Sequence, residues 1–371
     1  MKAAKMLIVG GGIGGLTATI ALRRHGFDVE VVERDATWSV YGVGIIQQPN
    51  VIRAMSQLGI LQDYVQAGFG FDSVDVYGWN GAHFARLRTP GLVEGAPATL
   101  GIARTALHKV LGERAIAAGG RVRLGETIEA LDQDGSGVSV TFSSGSTGRY
   151  DLVIGADGTH SKTRGMMFPE ESAPQFTGQG VWRYNLQRLA EVQGLMTWQG
   201  PLAAGLVPIS KSLMYLFLLT PEPGNPRYPR AGLAKCFREK LQGAPPALAT
   251  LAQQVTDDDA VVYRPLEYSF LRGPWSQGRV VLLGDAVHTT TPHLGQGAGL
   301  AIEDGLVLAD ELSRAETPEQ AFAAYRDRRF ERCRYIVESS KAIGDGQLGK
   351  IPHVDSAKAA HEMLLLTAQP I

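Results

Sequence analysis

Gly10, Gly12 and Gly15 stand at G-x-G-x-x-G spacing inside MLIVGGGIGGLTATIALRRHG, and Glu33 ends the next apolar run in DVEVVER. Those residue types at that spacing hold a pyrophosphate and a ribose. The first glycine permits a tight turn, the second lets a phosphate approach the backbone, and the third lets helix and strand pack closely. Ile13 and Gly14, within the turn, are assigned to the same site, and the helix that follows offers free N–H groups and a positive dipole end to the phosphates. A carboxylate about 20 residues on accepts hydrogen bonds from the adenosine ribose. An acid at Glu33 argues against a 2′-phosphate and for FAD or NAD; Arg34 beside it is assigned to the same pocket. Far downstream, VVLLGDAVHTTTPHLGQGAGLAIEDG repeats the grammar of strand, glycine-rich turn and helix. Gly295, Gly297 and Gly299 would allow close backbone approach, and a helix from about Ala298 would point its amino-terminal N–H groups there.

The elements that must position these residues follow from period and punctuation. Met6–Val9 reads as a buried parallel strand, Thr17–His25 as a helix, Gly26 as its stop and DVEVVER as the next strand. Between Gly178 and Pro274 the pattern changes to alternating strands, GQGVWRYNL, AGLVPIS, SLMYLFLLT and VVYRPLEYSF, with a helix in LAKCFREKLQG. That is an antiparallel sheet with one face free to cover a site. TDDD at 256–259 reads as a solvated boundary rather than a metal site. YRDRRFERCR, after an N-cap at Thr317 and Pro318, reads as a closing helix whose charges face water.

Composition bounds the answer. A length of 371 residues suggests about two domains. With 44% hydrophobic and 20% charged residues the chain is of the ordinary globular class. A net charge of −1 supplies no drive toward nucleic acid or an anionic membrane. Cys236 and Cys333 are too few for a disulfide framework or a metal cage, and free thiols fit a reducing cytoplasm. No apolar run reaches the ~18 residues of a membrane span. The amino-terminal run is short, full of glycine and ends in Arg23-Arg24-His25, unlike a signal peptide.

Three motifs in order distinguish FAD from NAD. GGGIGG with Glu33, DLVIGADGTHSKTR and GRVVLLGDAVHTTTPHLGQGAGLAIED together resemble the single-component FAD-dependent aromatic hydroxylases of the p-hydroxybenzoate hydroxylase fold, over nearly the whole chain. The resemblance implies an α/β fold. A Rossmann-like FAD-binding domain would comprise residues 1–175 and 275–371 with a C-terminal helix, and an antiparallel-sheet substrate domain residues 176–274. It implies that Asp157 takes part in FAD and nicotinamide-nucleotide binding and that Asp285 bonds the ribityl chain. Pro292, Gly295, Gly297 and Ala298 would lie against the isoalloxazine. Arg104, in GIARTALHKVL, resembles the arginine that reaches the FAD pyrophosphate. Gly299 stands where many relatives carry Asn, which removes one side-chain contact to the flavin. The loop YGVGIIQQPN, with Gly44, aligns over the flavin, but Ile46 stands where some members place a histidine base. No thioredoxin-like tail is expected.

On the substrate side Arg183 is the expected anchor for a phenolate or carboxylate, because a guanidinium fork suits such anions. Tyr215 could hydrogen-bond the substrate. His293, directly after Pro292, could deprotonate a phenol. Arg264 and His288 read as structural. The reading is a monooxygenase that hydroxylates a small electron-rich aromatic or heteroaromatic substrate with NADH or NADPH and O₂, through a C4a-hydroperoxyflavin. Epoxidation or oxidative decarboxylation on the same scaffold, and a non-enzymatic FAD-binding protein, are the alternatives. A cytoplasmic monomer or homodimer is expected.

Overall fold

The computed structural model describes residues 4–40, 42–170 and 173–371. The continuous apolar runs form a six-stranded sheet in the order 276–277, 280–282, 152–155, 5–9, 28–33, 121–124. Every pairing is parallel except that of the short edge Ser276–Gln277. Met6, Leu7, Ile8, Val29 and Val153 are fully buried, as strands covered on both faces require. The strand before the second turn, Val280–Leu282, therefore lies in the same sheet as the strand before the first.

Helix Ile13–Arg24 begins on the glycines themselves, earlier than the expected Thr17. It packs against Gly297–Arg314 at a distance only glycine allows: a Cβ on Gly305 would lie 2.8 Å from the Ala18 backbone nitrogen. Gly14 meets Leu283 and Ala301 in the same way, so the two turns touch.

A seven-stranded sheet runs in the order 262–268, 175–187, 213–221, 203–208, 195–199, 73–78, 83–88. Four strands are those marked by alternation. Leu195–Gln199 adds a fifth, and Ser73–Gly78 and His83–Arg88 reach the sheet from the first 175 residues. Leu195–Gln199 forms an antiparallel hairpin with Ala203–Pro208 and also pairs in parallel with Ser73–Gly78, a neighbour that sequence did not mark. Parallel neighbours need a long crossover and leave no hairpin signal. Trp182, Leu216, Leu218, Phe237 and Leu248 form a second core between this sheet and the helices Leu233–Lys240 and Pro246–Ala252. Strand alternation then turns Val181 and Arg183 to the other face. The TDDD segment ends that core, with Asp258 accepting from the Gly232 and Ala234 N–H groups.

Thr317 caps the helix Pro318–Gln347 as expected, its side chain accepting from Gln320 N–H. The charges of that helix are not all on a wet face, however. Arg329 is fully buried and Arg332 nearly so, because Glu303 and Asp304 on the neighbouring helix neutralise them. Cys236 and Cys333 are free thiols. No described helix is long and apolar enough to cross a membrane.

Candidate functional site

Both turns and the seven-stranded sheet open onto one cavity of about 700 Å³. At the first turn, Gly10 has φ +110°, and a Cβ there would overlap the Ala156 carbonyl. A Cβ on Gly15 would overlap the carbonyl oxygen of Gly10. These two glycines shape the turn without lining the cavity. Gly12, Ile13 and Gly14 line it, and a Cβ on Gly12 would meet nothing within 4 Å. The helix carries no acid in its first turn, so its positive end is left for an anion.

The Gly11 peptide is held on both sides. Its N–H donates to Glu33 Oε2 at 2.8 Å, and its carbonyl accepts from Trp38 Nε1 and His108 Nε2, each at 2.9 Å. Trp38 has φ 53°, an outlier for a bulky residue. Glu33 Oε1 accepts from Asp35 N–H at 2.9 Å. A carboxylate has about four acceptor sites, so the cavity-lining Glu33 keeps capacity for ribose hydroxyls. Arg34 stands exposed at the same rim. Strand Thr99–Ala103 delivers Arg104 into the wall as the first residue of helix Arg104–Ala117. His108, also in the wall, was not singled out by sequence; its i,i+4 spacing from Arg104 was the available signal.

At the second turn Gly284 has φ +63° and Gly295 φ +64°. Asp285, Pro292, Gly295, Gly297 and Ala298 all line the cavity, and helix Gly297–Arg314 has no acid in its first turn. Burial raises the Asp285 carboxyl, against the pull of His288 and Arg104. Behind the turn, Asp304 Oδ2 accepts from Gly284 N–H at 2.9 Å and from His288 Nε2 at 2.6 Å, while Oδ1 accepts from Arg329 Nε at 2.8 Å. His288 is thus structural, as expected. Cys333 lies beside this pair with metal-ligand spacing, but Asp304 is already engaged by Arg329 and a backbone N–H.

Three expectations need correction. Asp157 does not line the cavity: its carboxylate accepts from Ser161 Oγ at 2.5 Å and from Thr163 N–H and Oγ1 at 2.9 Å, capping the next helix. Ala156 and Gly158 on either side line the cavity instead. His293 is also outside the wall. Its ring lies between Thr291 Oγ1 at 2.9 Å and Gln347 Oε1 at 3.1 Å, and burial holds it neutral, lowered to about 4. Gly299 is a third case, since a side chain there would meet Gln296, Val51 and Asn50 and not the cavity.

The sheet wall brings Arg183 and Tyr215 together with Ile46 and Gly44. A Cβ on Gly44 would overlap the Tyr215 ring, which fixes how that ring packs. Burial pushes the Tyr215 phenol up to about 12. Arg183 is lowered to about 10 by burial and then by Arg104 and Arg264, against the pull of Tyr215. Val181, Phe217, Leu219 and Leu266 make the remainder apolar. Open space at Gly12, two acid-free helix ends and the Glu33 carboxylate fit a long dinucleotide such as FAD, held from both ends of the chain.

Comparison with known proteins agrees with this geometry. Residues 3–340 match the family model described as FAD binding domain. The chain is 30% identical to the putative FAD-dependent monooxygenase YetM of Bacillus subtilis, covering 91% of this chain and 92% of that protein. It is 31% identical to the 3-amino-4-hydroxybenzoate 2-monooxygenase PtnB3 of Streptomyces platensis, over 92% and 87%. A crystal structure of a Klebsiella pneumoniae HpxO variant complexed with FAD superposes with a TM-score of 0.85 at 25% identity, covering 98% of this chain and 94% of the other.

Proposed function

This chain belongs to the FAD binding domain family, and from that premise we propose which reaction it runs and with which residues. It is an FAD-dependent monooxygenase of the aromatic hydroxylase family. The proposed reaction places one oxygen atom of O₂ on a small electron-rich aromatic or heteroaromatic ring, with NADH or NADPH as transient reductant. One observation carries the reading: the two glycine turns and a sheet bearing the half-buried Arg183 enclose the same cavity.

Bound FAD supplies the reduction by nicotinamide and the activation of O₂. The side chains do the rest. Glu33 would accept hydrogen bonds from the ribose hydroxyls, the first turn and Arg104 would hold the pyrophosphate, and Asp285 would hold the ribityl hydroxyls. The end of helix Gly297–Arg314 places positive potential beside the ring, where negative charge develops on reduction. Arg183 and Tyr215 orient the substrate, and the apolar residues of the sheet exclude water. Two free thiols fit a reducing cytoplasm.

The purified protein is expected to be yellow and to oxidise NADH or NADPH faster when hydroxylated benzoates, pyridines or indoles are added, yielding a product one oxygen heavier. Retained flavin that neither nucleotide bleaches sinks the reading. Arg183→Ala is expected to raise KM for a carboxylated or phenolic substrate by roughly 10- to 100-fold, the worth of a charge-assisted hydrogen bond. An unchanged KM retires the assignment.

A further inference from the structure

Gly10, Gly11 and Gly12 give the first turn three consecutive residues without a Cβ, so its backbone has little stiffness of its own. A peptide between Gly11 and Gly12 that turned freely could show an anion either of two edges. The Gly12 N–H attracts it, and the Gly11 carbonyl oxygen repels it. The fold makes the choice from outside the motif. Trp38 Nε1 and His108 Nε2 both donate to the Gly11 carbonyl oxygen, each at 2.9 Å, while the Gly11 N–H donates to Glu33 Oε2 at 2.8 Å. A carbonyl only accepts, so Nε2 is a protonated nitrogen of the His108 ring. In a trans peptide the C=O and the following N–H point opposite ways, and no described peptide bond is cis. With its oxygen held by the two rings, this peptide turns the Gly12 N–H away from them, at a residue that lines the cavity.

The two rings are fitted to this place. A Cβ on Gly11 would stand 2.7 Å from Trp38 Nε1, so the indole fills the space that a side chain at the middle position of the motif would take. A Cβ on Gly112 would meet the far edge of the same indole at 3.3 Å. The indole and the imidazole brace each other edge to face, with 5.0 Å between ring centres. Trp38 adopts φ 53° to do so, a strain that persists only where contacts on several sides over-determine it.

We propose that Trp38 and His108 are positioning residues for the cofactor: by holding the Gly11 carbonyl they present the Gly12 N–H to the FAD pyrophosphate and keep the repelling oxygen off it. The proposal rests on the reading that the first turn holds the pyrophosphate. Arg104, His108 and Gly112 follow at i, i+4 and i+8 on helix Arg104–Ala117. One face of one helix therefore supplies the cation for the pyrophosphate, the brace for the turn that faces it, and the seat of the indole.

The test dialyses the FAD-loaded enzyme to equilibrium against graded FAD and reads the dissociation constant, with urea midpoints measured without added FAD. Trp38→Phe and His108→Leu are each expected to weaken FAD by about 3- to 10-fold, the worth of one hydrogen bond. The double variant should lose more than the product of the two, because either donor alone still holds the oxygen. His108→Gln, whose amide N–H can stand in for Nε2–H, should recover most of the affinity lost in His108→Leu. Wild-type affinity in both single variants, or His108→Gln no better than His108→Leu, overturns the positioning role. Affinity that falls only in step with the urea midpoint also overturns it, since the pair would then act through stability alone. If the double variant fails to fold, the comparison of His108→Gln with His108→Leu decides. A wild type that retains no FAD overturns the cofactor site itself, whereas a wild type that binds FAD no better than its variants removes only the clamp.

Discussion

Gly12→Ala and Gly15→Ala are both expected to weaken FAD binding on the order of 100-fold, about 2.7 kcal/mol, but for different reasons. A methyl on Gly15 would overlap the Gly10 carbonyl oxygen, so the turn itself must move. That variant should lose stability as an apoprotein as well as affinity, because strand and helix can no longer pack. A methyl on Gly12 meets nothing within 4 Å in the protein. Its apoprotein should therefore unfold at the wild-type urea concentration, and only the ligand should suffer, since the methyl would stand where the proposed pyrophosphate approaches the backbone. Fluorescence titration of apoprotein with FAD, beside urea unfolding, separates the two. Wild-type affinity in Gly12→Ala would remove the first turn from the cofactor site.

Arg329→Met should destabilise the protein by about 3–5 kcal/mol, because it strips a partner from two fully buried carboxylates. Arg329 donates to Asp304 Oδ1 at 2.8 Å and to Glu303 Oε2 at 2.6 Å. Burial alone would raise the Asp304 carboxyl, yet His288 and then Arg329 outweigh it and hold the group at about 2. A carboxyl depressed in this way adds stability above its ordinary range near pH 4, and that contribution is lost as pH falls toward about 2. Without Arg329 the depression shrinks, so acid unfolding should begin at higher pH. Arg329→Lys keeps the charge but not the fork and should fall between. Urea midpoints at neutral pH and down an acid series measure both effects. A change under about 1 kcal/mol with the acid limb in place would show that the network contributes little.

Much of the candidate site was legible because its signals are local. The glycine spacing at 10, 12 and 15, the acid at 33 and the Gly-Asp turn at 284–285 depend on short-range backbone geometry. The structure places Gly12, Glu33 and Asp285 on one cavity. Alternation also located four strands of the substrate sheet. What it could not show was Leu195–Gln199 pairing in parallel with Ser73–Gly78, since no turn connects them.

Side-chain direction was the other blind spot. Asp157 and His293 lie one residue from cavity-lining neighbours, yet Ser161 and Thr163 take the first, and Thr291 and Gln347 the second. Arg329 sits in a run of charges that reads as solvated, and only Glu303 and Asp304 from another helix make its burial tolerable. The sequence by itself determined the two glycine turns, because a glycine's backbone freedom is a property of the residue. Tertiary structure alone decided which ionisable groups face the substrate and which are neutralised elsewhere. Burial and charge pairing depend on what the rest of the chain brings alongside.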